Sequence, residues 1–166
     1  MHVTHNTLDL AIRENAVQLL NAHLAAAIDL QGQMKQAHWS LRGPGFIALH
    51  ELFDRVAGVA GDSADLLAEH CAGMGGTPLG TVQVAAAGSF LVPYKVRLGD
   101  AAEHVFAVSA ALAAFGQSVR GAAARAGAFG DGDTADLLTQ ISRAVHRQLW
   151  LVEAHAAPVA DVNSAA

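Results

Sequence analysis

The 166 residues carry 15 Asp and Glu against 10 Lys and Arg, a formal charge of −5, and the only lysines are Lys35 and Lys95; without a basic cluster the chain lacks the cations from which a nucleic-acid binder draws most of its affinity. The single cysteine, Cys71, excludes an intrachain disulfide and gives no sign of an oxidising compartment. The N-terminal stretch has no secretory pattern, no uninterrupted apolar segment is expected to cross a membrane, and the length suits one domain with its own core, so a cytoplasmic protein is expected.

Residues 1–7 are short and polar and are expected to form a loose arm, His2 and His5 included. From Leu8 apolar residues recur at helical spacing, at Ile12, Leu19, Leu24 and Ile28, and predict a first helix reaching to about Leu41. Gly43, Pro44 and Gly45 stop it, because proline disfavours helical backbone in the residue before it. A second helix follows on Phe46, Leu49, Phe53, Val56 and Ala60, a narrow stripe suited to antiparallel packing, and ends near Gly73. Gly58 and Gly61 cost propensity inside it and are expected to admit a close neighbour.

Residues 74–94 form a long connection with one helical turn predicted around Val82 to Ala86. A further helix carries Val105, Val108, Leu112, Phe115 and Val119, and the glycines and aspartates at 130–133 mark the next turn. The last helix runs from Thr134 to about His155 on Leu137, Ile141, Val145, Leu149 and Val152. Trp150, Phe115 and Phe129 are assigned to packing. Four long helices joined by two short links and one long crossover make an all-α four-helix bundle in which the second and third long helices run in the same sense. Residues 1–166 form one domain, with short tails at 1–7 and 157–166.

The chemistry lies between His38 and Glu69, in HWSLRGPGFIALHELFDRVAGVAGDSADLLAE. His50 and Asp54 are four residues apart, as are Asp65 and Glu69, so each pair projects from one helical face and could hold a cation. Carboxylates at that spacing repel and call for a compensating cation or arginine. Asp54 and Asp65 lie about three helical turns apart, which puts both pairs on one stripe but separates them by roughly 16 Å along the axis. Metal bonds to oxygen or nitrogen are about 2.0 to 2.2 Å, so one helix cannot close both pairs on one ion. Two copies of the helix packed antiparallel about a two-fold axis would bring Asp65 and Glu69 of one opposite His50 and Asp54 of the other, twice over. Imidazole and carboxylate without thiolate favour Fe(II), Mn(II) or Zn(II) over Cu(I).

The HW pair at His38 and Trp39, the GPxF turn, FxxLHxxFD, DxxAE and the C-terminal GDTADLLTQISRAVHRQLWLVEAH together resemble the Dps family (DNA-binding protein from starved cells), the mini-ferritins. The resemblance covers most of the chain and implies a ferritin-like bundle assembled as a homododecamer. It further implies a ferroxidase centre at the two-fold dimer interface, with His38, His50 and Asp54 from one subunit and Asp65 and Glu69 from its mate. Fe(II) would be oxidised there by hydrogen peroxide, less readily by dioxygen, and stored as ferric mineral in a hollow shell; Zn or Mn are possible substitutes. Trp39 would intercept stray oxidising equivalents beside the centre. Asp131, Asp133 and Asp136 fall where mini-ferritins line a three-fold pore, although acidic residues at a helix start also offset its dipole. Glu51, Asp62 and Glu69 share a strip of the second helix and could seed mineral.

Two departures stand out. His70 follows DxxAE where many relatives have arginine, and neither end of the chain has the lysine-rich tail that many Dps proteins set against DNA. DNA binding is therefore not expected, and the rival reading, a non-enzymatic DNA-compacting nucleoid protein with the same shell, starts at a disadvantage. An iron enzyme with its centre inside each bundle typically uses paired Glu-x-x-His motifs, and the chain contains none.

Overall fold

In the computed structural model, which describes residues 1–156, five helices and no strands follow in the order α1 (Leu10–Ser40), α2 (Phe46–Gly73), α3 (Val82–Gly88), α4 (Ala101–Ala128) and α5 (Gly132–Glu153). The predicted tail at 157–166 lies outside the described residues. Helices α1 and α2 form one antiparallel hairpin and α4 and α5 the other, and the crossover carrying α3 joins them in the ferritin-like manner. The predicted turn around Val82 to Ala86 is thus a two-turn helix, opened by Thr81, whose hydroxyl accepts from the Val84 amide. The first turn link works through Gly43 and Gly45, at φ +92° and +77°, where a side chain would be strained.

The interior is built from the stripes the spacing predicts. Phe53, Val56 and Leu67 of α2 meet Leu20, Leu30 and Met34 of α1, while Leu112 and Phe115 of α4 meet Leu138 and Ile141 of α5, all under 2% exposed. Burying each such side chain contributes about 1.5–3 kcal/mol relative to leaving it in water. On α5 the buried line passes through Leu138, Ile141, Val145 and Val152, while Leu137 and Leu149 only flank it half-buried. Trp150 departs from its expected packing role and is 65% exposed; Phe115 is buried and Phe129 half-buried as expected. A Cβ on Gly61 would come within 2.5 Å of the Gln31 amide, so this glycine does admit α1, whereas Gly58 has nothing within 4 Å.

Two expectations need correction. The N-terminal arm is docked: the His2 amide donates to the Gly75 carbonyl at 2.6 Å, and Arg13 reaches the Met74 carbonyl at 3.2 Å. Gly75 permits this with φ +81°, since a Cβ there would sit 2.8 Å from the His2 oxygen. And α4 is long and apolar enough to cross a membrane by length and composition alone. Its apolarity comes from the Val105–Val119 stripe, which packs in the bundle, and from alanines on the remaining face.

The bundle also buries two histidines. His23, 1% exposed, donates from Nδ1 to the Leu19 carbonyl at 2.8 Å and meets the Ser118 hydroxyl through Nε2 at 3.0 Å, tying α1 to α4. His104 hydrogen-bonds the Tyr94 hydroxyl. Burial pushes both imidazoles below the ordinary value of 6.5 and pushes the Tyr94 phenol up to about 12. A histidine whose folded pKa lies below its unfolded one lends full stability above about pH 6.5 and loses it as pH falls toward the folded value. The urea unfolding midpoint is expected to drop between pH 7 and pH 5, and to drop less steeply in His23→Gln; equal slopes in the two proteins would remove His23 as the cause.

Candidate metal centre

At the α1–α2 turn the chain reverses so that the last turn of α1 lies against the first turn of α2, which brings His38 and His50 face to face. Their rings stack with centroids 3.6 Å apart and planes inclined by 22°. Each ring also hydrogen-bonds the other residue's backbone: His38 Nδ1 donates to the His50 carbonyl at 2.8 Å, and His50 Nδ1 to the His38 carbonyl at 3.0 Å. A carbonyl can only accept, so both Nδ1 atoms carry the proton in the neutral rings. Each Nε2 then presents a lone pair, and a backbone partner that fixes tautomer and ring orientation is what a metal-binding imidazole requires. Phe46, 4.7 Å from the His50 ring centroid, flanks the pair.

Asp54 projects one turn further along α2, exposed, and Lys35 of α1 holds it at 2.6 Å from Oδ1. The Lys35 ammonium, by hydrogen bond and by charge, holds the Asp54 carboxyl below its usual range. Lys35 also lies 5.8 Å from the centroid of the Trp39 ring, which is 67% exposed. Lys35 thus occupies the place of a cation beside Asp54. Sequence spacing along α2 does not reveal it, because the lysine comes from the neighbouring helix; the signal was there in α1, where Lys35, His38 and Trp39 share a face at three and four residues.

Asp65 and Glu69 are exposed on the outer face of α2, far from the histidine pair. Among the described residues no three potential ligands of one chain come together around a point. The stripe therefore falls into two separate groups, His38, His50 and Asp54 at one end and Asp65 and Glu69 at the other, each reached by solvent.

At the start of α5 the three aspartates separate. Asp131 is only 1% exposed within the subunit and serves as the N-cap, taking the Thr134 amide at 2.9 Å on Oδ1 and the Thr134 hydroxyl at 2.6 Å on Oδ2. Asp133 and Asp136 are exposed. Glu51 and Asp62 are exposed on α2 as well. His70, at the arginine position, is half-buried and bonds through Nε2 to the Thr134 hydroxyl at 2.8 Å.

Residues 17–160 match the ferritin-like domain family. The chain is 35% identical over 154 residues to the DNA protection during starvation protein of Agrobacterium fabrum, covering 93% of this chain and 95% of the relative. Among solved structures it is similar to DpsA14 from Streptomyces coelicolor, with a TM-score of 0.88 and 30% identity over 94% of this chain and 92% of that one. It is similar also to a Dps protein from Bacillus brevis, with a TM-score of 0.84 and 27% identity over 90% of this chain and 100% of that one. With bundle, crossover and similarity over almost the full length in agreement, the chain belongs to the ferritin-like domain family and, within it, to the Dps proteins, the mini-ferritins.

Proposed function

We propose that this protein is an iron-storing ferroxidase that consumes hydrogen peroxide, working as a homododecameric shell in the cytoplasm, free or beside the nucleoid. The observation that carries the reading is the His38–His50 pair, whose reciprocal backbone hydrogen bonds leave two oriented Nε2 atoms beside the Asp54 carboxylate. Packing two α2 helices about a two-fold axis adds Asp65 and Glu69 of the partner subunit to these three groups. Fe(II) is the substrate, and Zn(II) or Mn(II) would fit the same donors.

The chemistry is a two-electron reduction. Two Fe(II) give one electron each, the O–O bond of one peroxide breaks, and its oxygens leave as water or as oxide in the ferric product. Delivering both electrons together avoids the hydroxyl radical that one electron alone would release. Carboxylates favour the ferric product, and the coordination positions that the protein leaves open admit the oxidant. Lys35 withdraws from Asp54 when the ion arrives, exchanging one cation for another. Trp39, exposed within reach of Lys35, stands where stray oxidising equivalents would be intercepted. Asp133 and Asp136 draw Fe(II) toward the interior, and the net charge of −5 per chain helps.

The relatives' names speak of DNA protection. Peroxide removal in the presence of Fe(II) protects DNA without touching it, and an acidic chain with two lysines is poorly suited to phosphate contact. Anaerobic loading with Fe(II) followed by peroxide, monitored by ferric absorbance, is expected to consume about two Fe(II) per peroxide. One Fe(II) per peroxide with radical adducts on a spin trap would overturn the reading. A low-salt gel shift with the assembled protein is expected to leave DNA unretarded, and retention lost with rising salt would favour a DNA-compacting role instead.

A further inference from the structure

We infer that His70 is a positioning residue for Glu69, holding the ligand-bearing end of α2 in place through the buried N-cap of α5. The inference rests on the ferroxidase reading above and assigns a role to a residue that takes no part in it directly.

The hydrogen-bond chain has one direction. The Thr134 hydroxyl, 2.6 Å from Asp131 Oδ2, donates its only proton to that carboxylate. It must therefore accept from His70, so His70 carries its proton on Nε2 and donates it at 2.8 Å. Asp131 Oδ1 takes the Thr134 amide at 2.9 Å, which locks threonine and aspartate to each other. Thr134 is fully buried and Asp131 is 1% exposed, so the acceptor offered to His70 is immobile and shielded from water. Among the described residues this is the only side-chain hydrogen bond between α2 and α5.

Glu69 needs such support. It is exposed, and among the described residues its carboxylate has neither a hydrogen bond nor an ion pair. It lies four positions before the helix end at Gly73, where the chain turns through Met74 and Gly75. Helix ends open more readily than their middles; here the Met74, Gly75 and Gly76 amides close the last turn on the His70, Ala72 and Cys71 carbonyls, and the His70 side chain adds a tie to α5. Pinning the next residue to a buried threonine opposes that opening and keeps the Glu69 backbone in register with the partner's half-site. The α5 cap does not depend on His70, because Asp131 and Thr134 satisfy each other without it. The link thus serves α2 rather than α5.

The test uses the full-length assembled protein and Co(II), a redox-inert probe whose visible absorption reports binding to the centre. Wild type is compared with Glu69→Ala, His70→Ala, His70→Gln, Thr134→Val and Thr134→Ser. Co(II) affinity is expected to fall about tenfold in His70→Ala and in Thr134→Val, the low end of the loss on removing an outer partner of a metal ligand. Gln, which places an amide donor near the Nε2 position, and Ser, which keeps the hydroxyl, are expected to restore it. Amide exchange over residues 68–73 should quicken in His70→Ala. If Glu69→Ala loses Co(II) while His70→Ala binds like wild type, the positioning role is wrong and the metal centre stands. If Glu69→Ala itself changes nothing, the metal reading fails and the positioning role goes with it. Should His70→Ala not assemble, the Val and Ser pair at 134 decides: equal affinity in both overturns the inference.

Discussion

Replacing His50 and Asp54 together by alanine is expected to slow peroxide-driven Fe(II) oxidation by at least about 100-fold, the upper end of what losing an outer partner of a ligand alone costs. The double substitution removes one of the two oriented imidazoles and the adjacent carboxylate. Because His38 and His50 hold each other, the loss reaches further: without the His50 ring, the His38 carbonyl loses its donor, and His38 loses its stacking neighbour. The subunit fold should survive, since both side chains lie outside the buried core. The measurement is the initial rate of ferric absorbance after peroxide addition at equal Fe(II), with size-exclusion chromatography to confirm the assembly. Rates within a factor of two or so of wild type would mean that the stripe is structural, since even modest perturbations at metal ligands cost more.

Much of this was legible in the chain because helical spacing is a local property. Phe46, Leu49, Phe53, Val56 and Ala60 announce the buried face of α2, and the four-residue steps from His50 to Asp54 and from Asp65 to Glu69 place both pairs on its opposite side. The distance between those pairs along the helix already said that one chain's α2 does not bring them together. What spacing does not carry is contact between helices. The Lys35–Asp54 ion pair joins residues of different helices, and the reciprocal bonds of His38 and His50 depend on how the Gly43–Gly45 turn closes.

The acidic turn before α5 shows the limit from another side. Asp131, Asp133 and Asp136 look alike in sequence, yet Asp131 is a buried N-cap bonded to Thr134, while the others are exposed. A capping aspartate and a solvent-exposed one both stand at a helix start, and only the backbone geometry separates them. The docked N-terminal arm escaped notice for a similar reason: a polar segment of seven residues carries no apolar stripe, and its place depends on the left-handed backbone at Gly75.

Phe53→Ala is expected to destabilise the subunit by about 3–5 kcal/mol, the usual cost of emptying a buried phenylalanine site. Phe53 is fully buried in the core of α2, immediately before Asp54 and one turn after His50. Its ring anchors the helix whose other face carries Asp54, Asp65 and Glu69. For a domain of this size each kcal/mol is worth about 2–4 °C, so the thermal midpoint should fall by about 6–20 °C. Because assembly also stabilises the fold, wild type and variant are compared at one protein concentration by calorimetry. The two substitutions then separate core from chemistry: the His50 and Asp54 variant should lose rate while keeping its midpoint, and Phe53→Ala should lose its midpoint first. A Phe53→Ala protein that melts like wild type would mean that the α1–α2 interface is not what supports this helix. The ligand geometry would then have to be maintained by contacts between subunits instead.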